Sequence, residues 1–135
     1  VPSIIFALIK MNVSKITISN RTRKKAEDLK SQFEILNVID WGSLPNFDVI
    51  INATSLGLNN EVINLNFSEI GENKLFYDVI YNPGVTNFLK EGKKLGNRSE
   101  NGKLMFIYQA ADAFRLWHGI EPIINNETIK FLEND

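Results

Sequence analysis

The residues best suited to chemistry are Asn20, Arg21 and Thr22, with Arg23, Lys24 and Lys25 just behind them. They lie in the stretch Lys15-Ile16-Thr17-Ile18-Ser19-Asn20-Arg21-Thr22-Arg23-Lys24-Lys25-Ala26-Glu27-Asp28-Leu29. A short β-branched strand there runs into a polar, basic turn, and the turn opens a helix. In an α/β sheet, ligands sit outside the carboxyl ends of the strands, and this turn stands at such an end. In dinucleotide-binding folds an acidic residue in this region holds the ribose 2′-hydroxyl of NAD, whereas an Arg accommodates the 2′-phosphate of NADP. No acid stands at this strand end. The set offers a planar guanidinium fork, hydroxyl and amide donors and the N–H groups of a helix start, which together suit a dianionic phosphate. Charge alone leaves open a second reading, a solvated basic first turn of a surface helix.

Two more strand ends carry residues of interest. Phe47-Asp48-Val49-Ile50-Ile51-Asn52 reads as a buried-type strand, continuous rather than alternating. It ends in Ala53-Thr54-Ser55-Leu56-Gly57-Leu58. Small and hydroxylated residues followed by Gly let a ligand approach the backbone, although Thr-Ser in that position equally forms a self-bonded turn. Leu75-Phe76-Tyr77-Asp78-Val79-Ile80 reads as a further buried strand and ends in the turn Tyr81-Asn82-Pro83-Gly84. Asp78, inside that strand, reads as hydrogen-bonded structure. His118 sits at a helix end, where an imidazole caps carbonyls and feels the helix dipole more often than it does chemistry. Asp112 receives no role.

The elements that position these residues follow from periodicity and punctuation. Val1 to Met11 reads as a helix with Pro2 in its first turn, apolar nearly all round through Ile4, Ile5, Phe6, Ala7, Leu8 and Ile9, and therefore buried. A chain that begins inside a buried helix is expected to be truncated at its N-terminus. Asn12-Val13-Ser14 turns into the strand Lys15 to Ser19. A helix over Thr22 to Phe33 places Ala26, Leu29 and Phe33 on one face. Glu34 to Ile39 reads as an edge strand, and Asp40 to Asn46 as turn, with Trp41 a surface lid. Asn59 to Gly71 is polar and irregular, anchored by Leu65 and Phe67. Thr86 opens a helix over Asn87 to Leu95 that Gly96 stops, and Asn97 to Asn101 is a polar link with room for a short strand. Gly102 to Trp117 reads as a long helix with the core stripe Leu104, Ile107, Ala111 and Phe114, beside which Met105 and Gln109 lie one turn apart. A last helix is expected over Ile123 to Leu132. Strands alternating with helices predict an open α/β sheet, mostly parallel, with helices on both faces.

Composition narrows the function classes. The 135 residues suffice for one domain, and 44% hydrophobic with 23% charged residues is ordinary for a globular protein. A net charge of −1 gives no global signal for nucleic acid or an anionic membrane. The absence of Cys excludes disulfides and thiolate metal sites, and a single His argues against a metal centre, so no metal ligand is assigned. The apolar run Ile4 to Ile9 is too short to span a bilayer, and no signal peptide is evident, so a cytoplasmic location is the expectation.

Taken together, these segments resemble the C-terminal, NADP-binding domain of shikimate dehydrogenases over nearly the whole chain. The resemblance rests on Asn20-Arg21-Thr22 with Lys25 and Ala26, and on Ile51-Asn52-Ala53-Thr54-Ser55-Leu56-Gly57. It continues through Tyr77-Asp78-Val79-Ile80-Tyr81-Asn82-Pro83 with Thr86 and Leu89, and ends with Gly102, Met105, Gln109-Ala110, Phe114, Trp117, Gly119 and Pro122. It implies a Rossmann-like fold in which residues 1–135 form one NADP-binding domain, incomplete at its first strand. It implies reduction of 3-dehydroshikimate to shikimate with NADPH, a step toward chorismate and the aromatic amino acids. In the resemblance, Asn20, Arg21, Thr22 and Lys25 grip the 2′-phosphate and adenine face, and Thr54, Ser55 and Leu56 line the path of the cofactor. Val79, Gly102 and Met105 stand by the nicotinamide, while Tyr81 and Gln109 reach the substrate. Gln109 can donate and accept at once, which suits a polyol.

Two departures from the family pattern bear on activity. The Gly-rich phosphate loop and the N-terminal substrate domain with its Lys–Asp pair are absent, so no catalytic residue is assigned and the chain alone is expected to be inactive. Leu58, where the family commonly has Met, and Glu91, where it has a small residue, are lesser departures. The partners implied are the small-molecule substrate and the missing substrate domain, with a homodimer also allowed. Two other readings stay open: a quinate or quinate/shikimate dehydrogenase, and a non-catalytic nucleotide-binding sensor module.

Overall fold

The computed structural model describes residues 1–131. Its elements are α1 (Pro2–Lys10), β1 (Ile16–Ile18), α2 (Arg23–Gln32), β2 (Leu36–Val38), β3 (Val49–Asn52), β4 (Leu75–Asp78), α3 (Asn87–Lys94), β5 (Arg98–Glu100), α4 (Lys103–His118) and α5 (Asn126–Phe131). Strands and helices alternate as expected, and every strand pair is parallel. The strands form two hydrogen-bonded sheets, β1-β2 and β3-β4-β5, rather than the one sheet expected. The chain accordingly divides into two compact units, Val1–Asn46 with Asn64–Ile70, and Phe47–Ile63 with Gly71 onward.

In the first unit, Pro2 lies in the opening turn of α1, where its missing N–H costs nothing. Ile5, Ile16 and Leu36 form the core, and Leu8, Ile9, Val13, Ile18, Leu29 and Phe33 pack against it. The expectation of a helix buried all round is corrected here. Ile5 is the buried residue of α1, whereas Phe6 is 56% exposed. The core lies on one side of the helix, so apolar residues on the other side stay open. β1 and β2 pair with Ile16 opposite Leu36 and Ile18 opposite Val38. Ala26 lies on the inner face of α2 with no exposed surface, as its spacing from Leu29 and Phe33 requires. Phe67 is buried in the Asn64–Ile70 segment, as its anchoring role demands.

In the second unit, the central strand β4 carries Phe76, which is fully buried. Its ring meets Phe47 edge-on at 6.2 Å and Phe88 at 5.1 Å. Helix α3 reaches that ring through Gly92, where a methyl group would stand 2.5 Å from Phe76 Cγ, so only glycine permits this approach. Thr86 caps α3 by accepting the Leu89 N–H. The short strand β5 pairs with β4, with Glu100 opposite Tyr77. Asn97 secures the turn before β5. Its Oδ1 accepts the Lys74 N–H at 2.8 Å, and its Nδ2 donates to the Gly71 and Leu95 carbonyls, each at 3.3 Å.

Two burial expectations fail in this unit. β3 is an edge strand of its sheet, and Val49 is 47% exposed, so a continuous apolar run does not here mark a fully buried strand. Of the stripe Leu104, Ile107, Ala111 and Phe114 on α4, Ile107 alone is buried, while Leu104 and Phe114 are 50% and 42% exposed. The stripe shares one face as its spacing dictates, but little of the described chain covers it. The last helix starts at Asn126 rather than Ile123, and Leu132 lies outside the described residues. No described helix is long and apolar enough to cross a membrane.

Candidate functional site

In the first unit the chain leaves β1 through Asn20, whose Oδ1 accepts the Thr22 N–H at 2.8 Å. This Asx turn directs the backbone into α2. Thr22 is the N-cap residue with extended backbone, but its hydroxyl makes no capping bond. The neighbouring cations divide into two kinds. Arg23 pairs with Glu27 at 3.1 Å and with Asp40, and Lys24 pairs with Asp28 at 3.0 Å. Arg21 and Lys25 are exposed and have no carboxylate partner among the described residues. Exposed ion pairs contribute only about 0–1 kcal/mol to stability, yet they commit Arg23 and Lys24. Arg21, Lys25, the Thr22 hydroxyl and the Asn20 amide remain as an uncommitted donor set whose chemistry fits a phosphate dianion.

In the second unit the site is built around two strand ends and the start of α4. Asn52, 4% exposed, closes β3. Its Oδ1 accepts both the Thr54 N–H at 3.1 Å and the Thr54 hydroxyl at 2.8 Å. Its Nδ2 donates to the Leu56 carbonyl at 2.9 Å and to Asp78 Oδ1 at 3.1 Å. The Thr54 hydroxyl in turn accepts the Leu56 N–H at 3.1 Å. The self-bonded turn left open by the sequence is therefore the one that forms. Ser55 is exposed, and Leu56 is half-buried.

Asp78 has no exposed surface. Besides Asn52, it takes the Ile80 N–H at 3.0 Å on Oδ1 and the Thr86 hydroxyl at 2.6 Å on Oδ2. It is hydrogen-bonded structure, as its place in the strand predicts. Beyond it, Val79 N–H donates to the Asn52 carbonyl at 3.0 Å, and Gly102 N–H donates to the Ile80 carbonyl at 3.2 Å. A side chain at Gly102 would overlap the Val79 carbonyl, so glycine brings these two backbones together. Asn101 Nδ2 donates to the Gly84 carbonyl at 2.9 Å, which fastens the turn after β4 to the start of α4.

Tyr81 stacks on Phe106, with ring centroids 4.5 Å apart and planes 22° from parallel. Met105 is half-buried next to Phe106, and Gln109 is exposed one helical turn on. The structure thus brings Val79, Tyr81, Gly102 and the first turn of α4 together. The Gln109 side chain makes no hydrogen bond among the described residues. The His118 ring packs against Phe114, with centroids 4.5 Å apart and planes tilted by 40°, and Asp112 pairs with Arg115 at 3.4 Å, which uses both in local contacts on α4.

Sequence reasoning missed Phe106 and Glu61. The Glu61 carboxylate accepts the Asn59 N–H at 2.9 Å and the Gly57 N–H at 3.0 Å. These backbone donors, Asn59 first, hold its pKa down at about 2. No local pattern marks such a residue, because the contact is made by backbone groups. Burial, and then the Glu100 charge opposite, raise the pKa of Tyr77. Among the described residues no cluster of acidic or His side chains suits a metal ion.

The family description "Shikimate 5'-dehydrogenase C-terminal domain" matches residues 104–122. A shikimate dehydrogenase (NADP(+)) of Pelagibacter ubique is 54% identical over 134 residues, covering 98% of this chain and 51% of that protein. The solved shikimate 5-dehydrogenase of Thermus thermophilus, in complex with NADP(H) and shikimate, superposes with a TM-score of 0.80 at 28% identity. That match covers 96% of this chain and 48% of the other. Quinate dehydrogenase from Corynebacterium glutamicum, in complex with NAD, superposes with a TM-score of 0.80 at 25% identity, covering 98% and 51%. The architecture is Rossmann-like, and the chain spans about half the length of the curated relatives it matches.

Proposed function

The chain belongs to the shikimate dehydrogenase family, and from that premise we propose that it is the cofactor-binding part of an oxidoreductase that reduces 3-dehydroshikimate to shikimate with NADPH. The observation that carries the cofactor choice is the pair Arg21 and Lys25, exposed and uncommitted beside an N-cap whose hydroxyl is unused. That donor set suits a 2′-phosphate, and it lacks the carboxylate that would accept from a ribose diol.

In this reading Asn20, Arg21, Thr22 and Lys25 hold the 2′-phosphate. Thr54, Ser55 and Leu56 line the cofactor's path, Val79, Gly102 and Met105 border the nicotinamide, and Tyr81 and Gln109 hold the substrate's oxygens. A bound nicotinamide supplies the hydride. The residues of this chain bind, orient and exclude water. The proton donor comes from the remaining half of the full-length protein, which works in the cytoplasm. A homodimer is a further expectation, read by sedimentation.

The test is an assay of the full-length protein with shikimate or quinate, each with NADP or NAD, followed by absorbance of the reduced cofactor. Turnover with shikimate and NADP supports the proposal. Turnover confined to quinate and NAD would replace it with the activity of the Corynebacterium neighbour. NADP binding without turnover on either substrate would replace it with a nucleotide-sensing role.

A further inference from the structure

The loop after β3 has an uneven supply of donors. From residue 54 to 59, the Thr54 N–H goes to Asn52 Oδ1, the Leu56 N–H to the Thr54 hydroxyl, and the Gly57 and Asn59 N–H groups to Glu61. The Leu58 N–H goes to the Ser55 carbonyl at 3.3 Å. The Thr54 hydroxyl proton is spent on Asn52 Oδ1. Among the described residues, only the N–H and hydroxyl of Ser55 remain unengaged on this loop.

The direction of these bonds is set from the next strand. Asn52 uses both donor and both acceptor positions of its amide, and the two ends are not interchangeable. Asp78 Oδ1 accepts only, so it forces Nδ2 toward β4 and Oδ1 toward Thr54. Asp78 is itself held on its other oxygen by Thr86, whose hydroxyl donates to Oδ2 while accepting the Leu89 N–H at 3.4 Å. Asn52, Asp78 and Thr86 are 4%, 0% and 1% exposed, so no water competes for these positions.

We propose that Asn52 and Asp78 are positioning residues for the bound cofactor: together they turn the donors of Thr54 inward and leave Ser55 as the one donor this loop presents to it. This rests on the cofactor reading above. Asn52→Asp removes both donations and sets a second carboxylate against Asp78. Thr86→Val removes the hydroxyl that holds Asp78, and Thr86→Ser keeps it.

The experiment is amide hydrogen exchange on the full-length protein, with NADP binding titrated alongside. Without cofactor, the Thr54, Leu56 and Gly57 amides are expected to exchange slowly and Ser55 fast, and NADP protects Ser55. In Asn52→Asp, repulsion between the two carboxylates turns the side chain off Thr54, so protection of Thr54 and Leu56 is lost and NADP affinity falls roughly tenfold, while the KM for shikimate stays within about twofold. Thr86→Val follows Asn52→Asp, Thr86→Ser follows wild type, and this pair carries the comparison if Asn52→Asp fails to fold. Folded variants with wild-type exchange at Leu56 and wild-type NADP affinity would overturn the inference, as would a Ser55 amide that NADP leaves unprotected. Failure of the wild-type protein to bind NADP would instead refute the cofactor reading. The orientation of the loop's donors by Asn52 and Asp78 is then judged on exchange at Thr54 and Leu56 alone.

Discussion

The ring of Tyr81 lies on the ring of Phe106, joining the turn after β4 to the first turn of α4. Stacked aromatic pairs contribute about 0.5–1.5 kcal/mol beyond the area they bury. Phe106→Ala is therefore expected to destabilise the fold by at least that amount and to free Tyr81 from its place. Urea unfolding reads the first effect. The KM for shikimate in the full-length protein reads the second and should rise, with Phe106→Leu intermediate in both. An unchanged KM in a folded Phe106→Ala protein would remove Tyr81 from the substrate site.

Arg21→Ala should weaken binding of NADP far more than of NAD. A charge-assisted bond to phosphate is worth about 1.5–3 kcal/mol, or roughly tenfold to a hundredfold in affinity. Arg23→Ala should have little effect, because its guanidinium is already paired with Glu27 and Asp40. Titration of both variants with both cofactors checks this, and equal losses for NADP and NAD would defeat the assignment of Arg21.

Gly102→Ala places a methyl group on the Val79 carbonyl. Backbone on both sides leaves no flexible group to yield, so the cost should reach the upper part of the overpacking range, about 3 kcal/mol. Chemical denaturation measures it. A loss under about 1 kcal/mol would mean that the start of α4 can slide away from β4.

Glu61 makes the stability of its loop depend on acid. Its folded-state pKa, about 2, lies below the ordinary 4.5. The stabilisation is therefore complete above the unfolded value and is lost as pH falls from about 4.5 through about 2. Glu61→Gln should be less stable than wild type at neutral pH, and the difference should vanish toward pH 2. Thermal unfolding at a series of pH values follows it. A difference that does not vary with pH would show that the carboxylate charge is not what holds Gly57 and Asn59.

Sequence and structure part company where long-range contacts decide. Pro2 in the first turn of α1, Thr86 before α3 and Gly119 after α4 are local signals, and the helices they mark form as expected. Strand β5 has no apolar pattern in Arg98-Ser99-Glu100, and it exists because β4 offers it a partner. The stripe on α4 is legible as a face, but periodicity cannot tell whether anything covers that face. At the candidate site, Arg21 was legible from its type and position, although its difference from Arg23 required the ion pairs to be seen. Asn52 and Asp78 stand 26 residues apart, and nothing local to either shows that one orients the other.

The exposed end of α4 also has an optical consequence. The chain contains two tryptophans. Trp117, 79% exposed on α4, lies in the second unit, and Trp41, half-buried, lies in the first. Each compact unit thus carries its own fluorophore, and the two sit in surroundings of different polarity. Replacing Trp117 with Phe leaves an emission spectrum that reports on the first unit alone, so its melting can be followed without an added label, whereas the indole of Trp117 is already in water and changes little on unfolding.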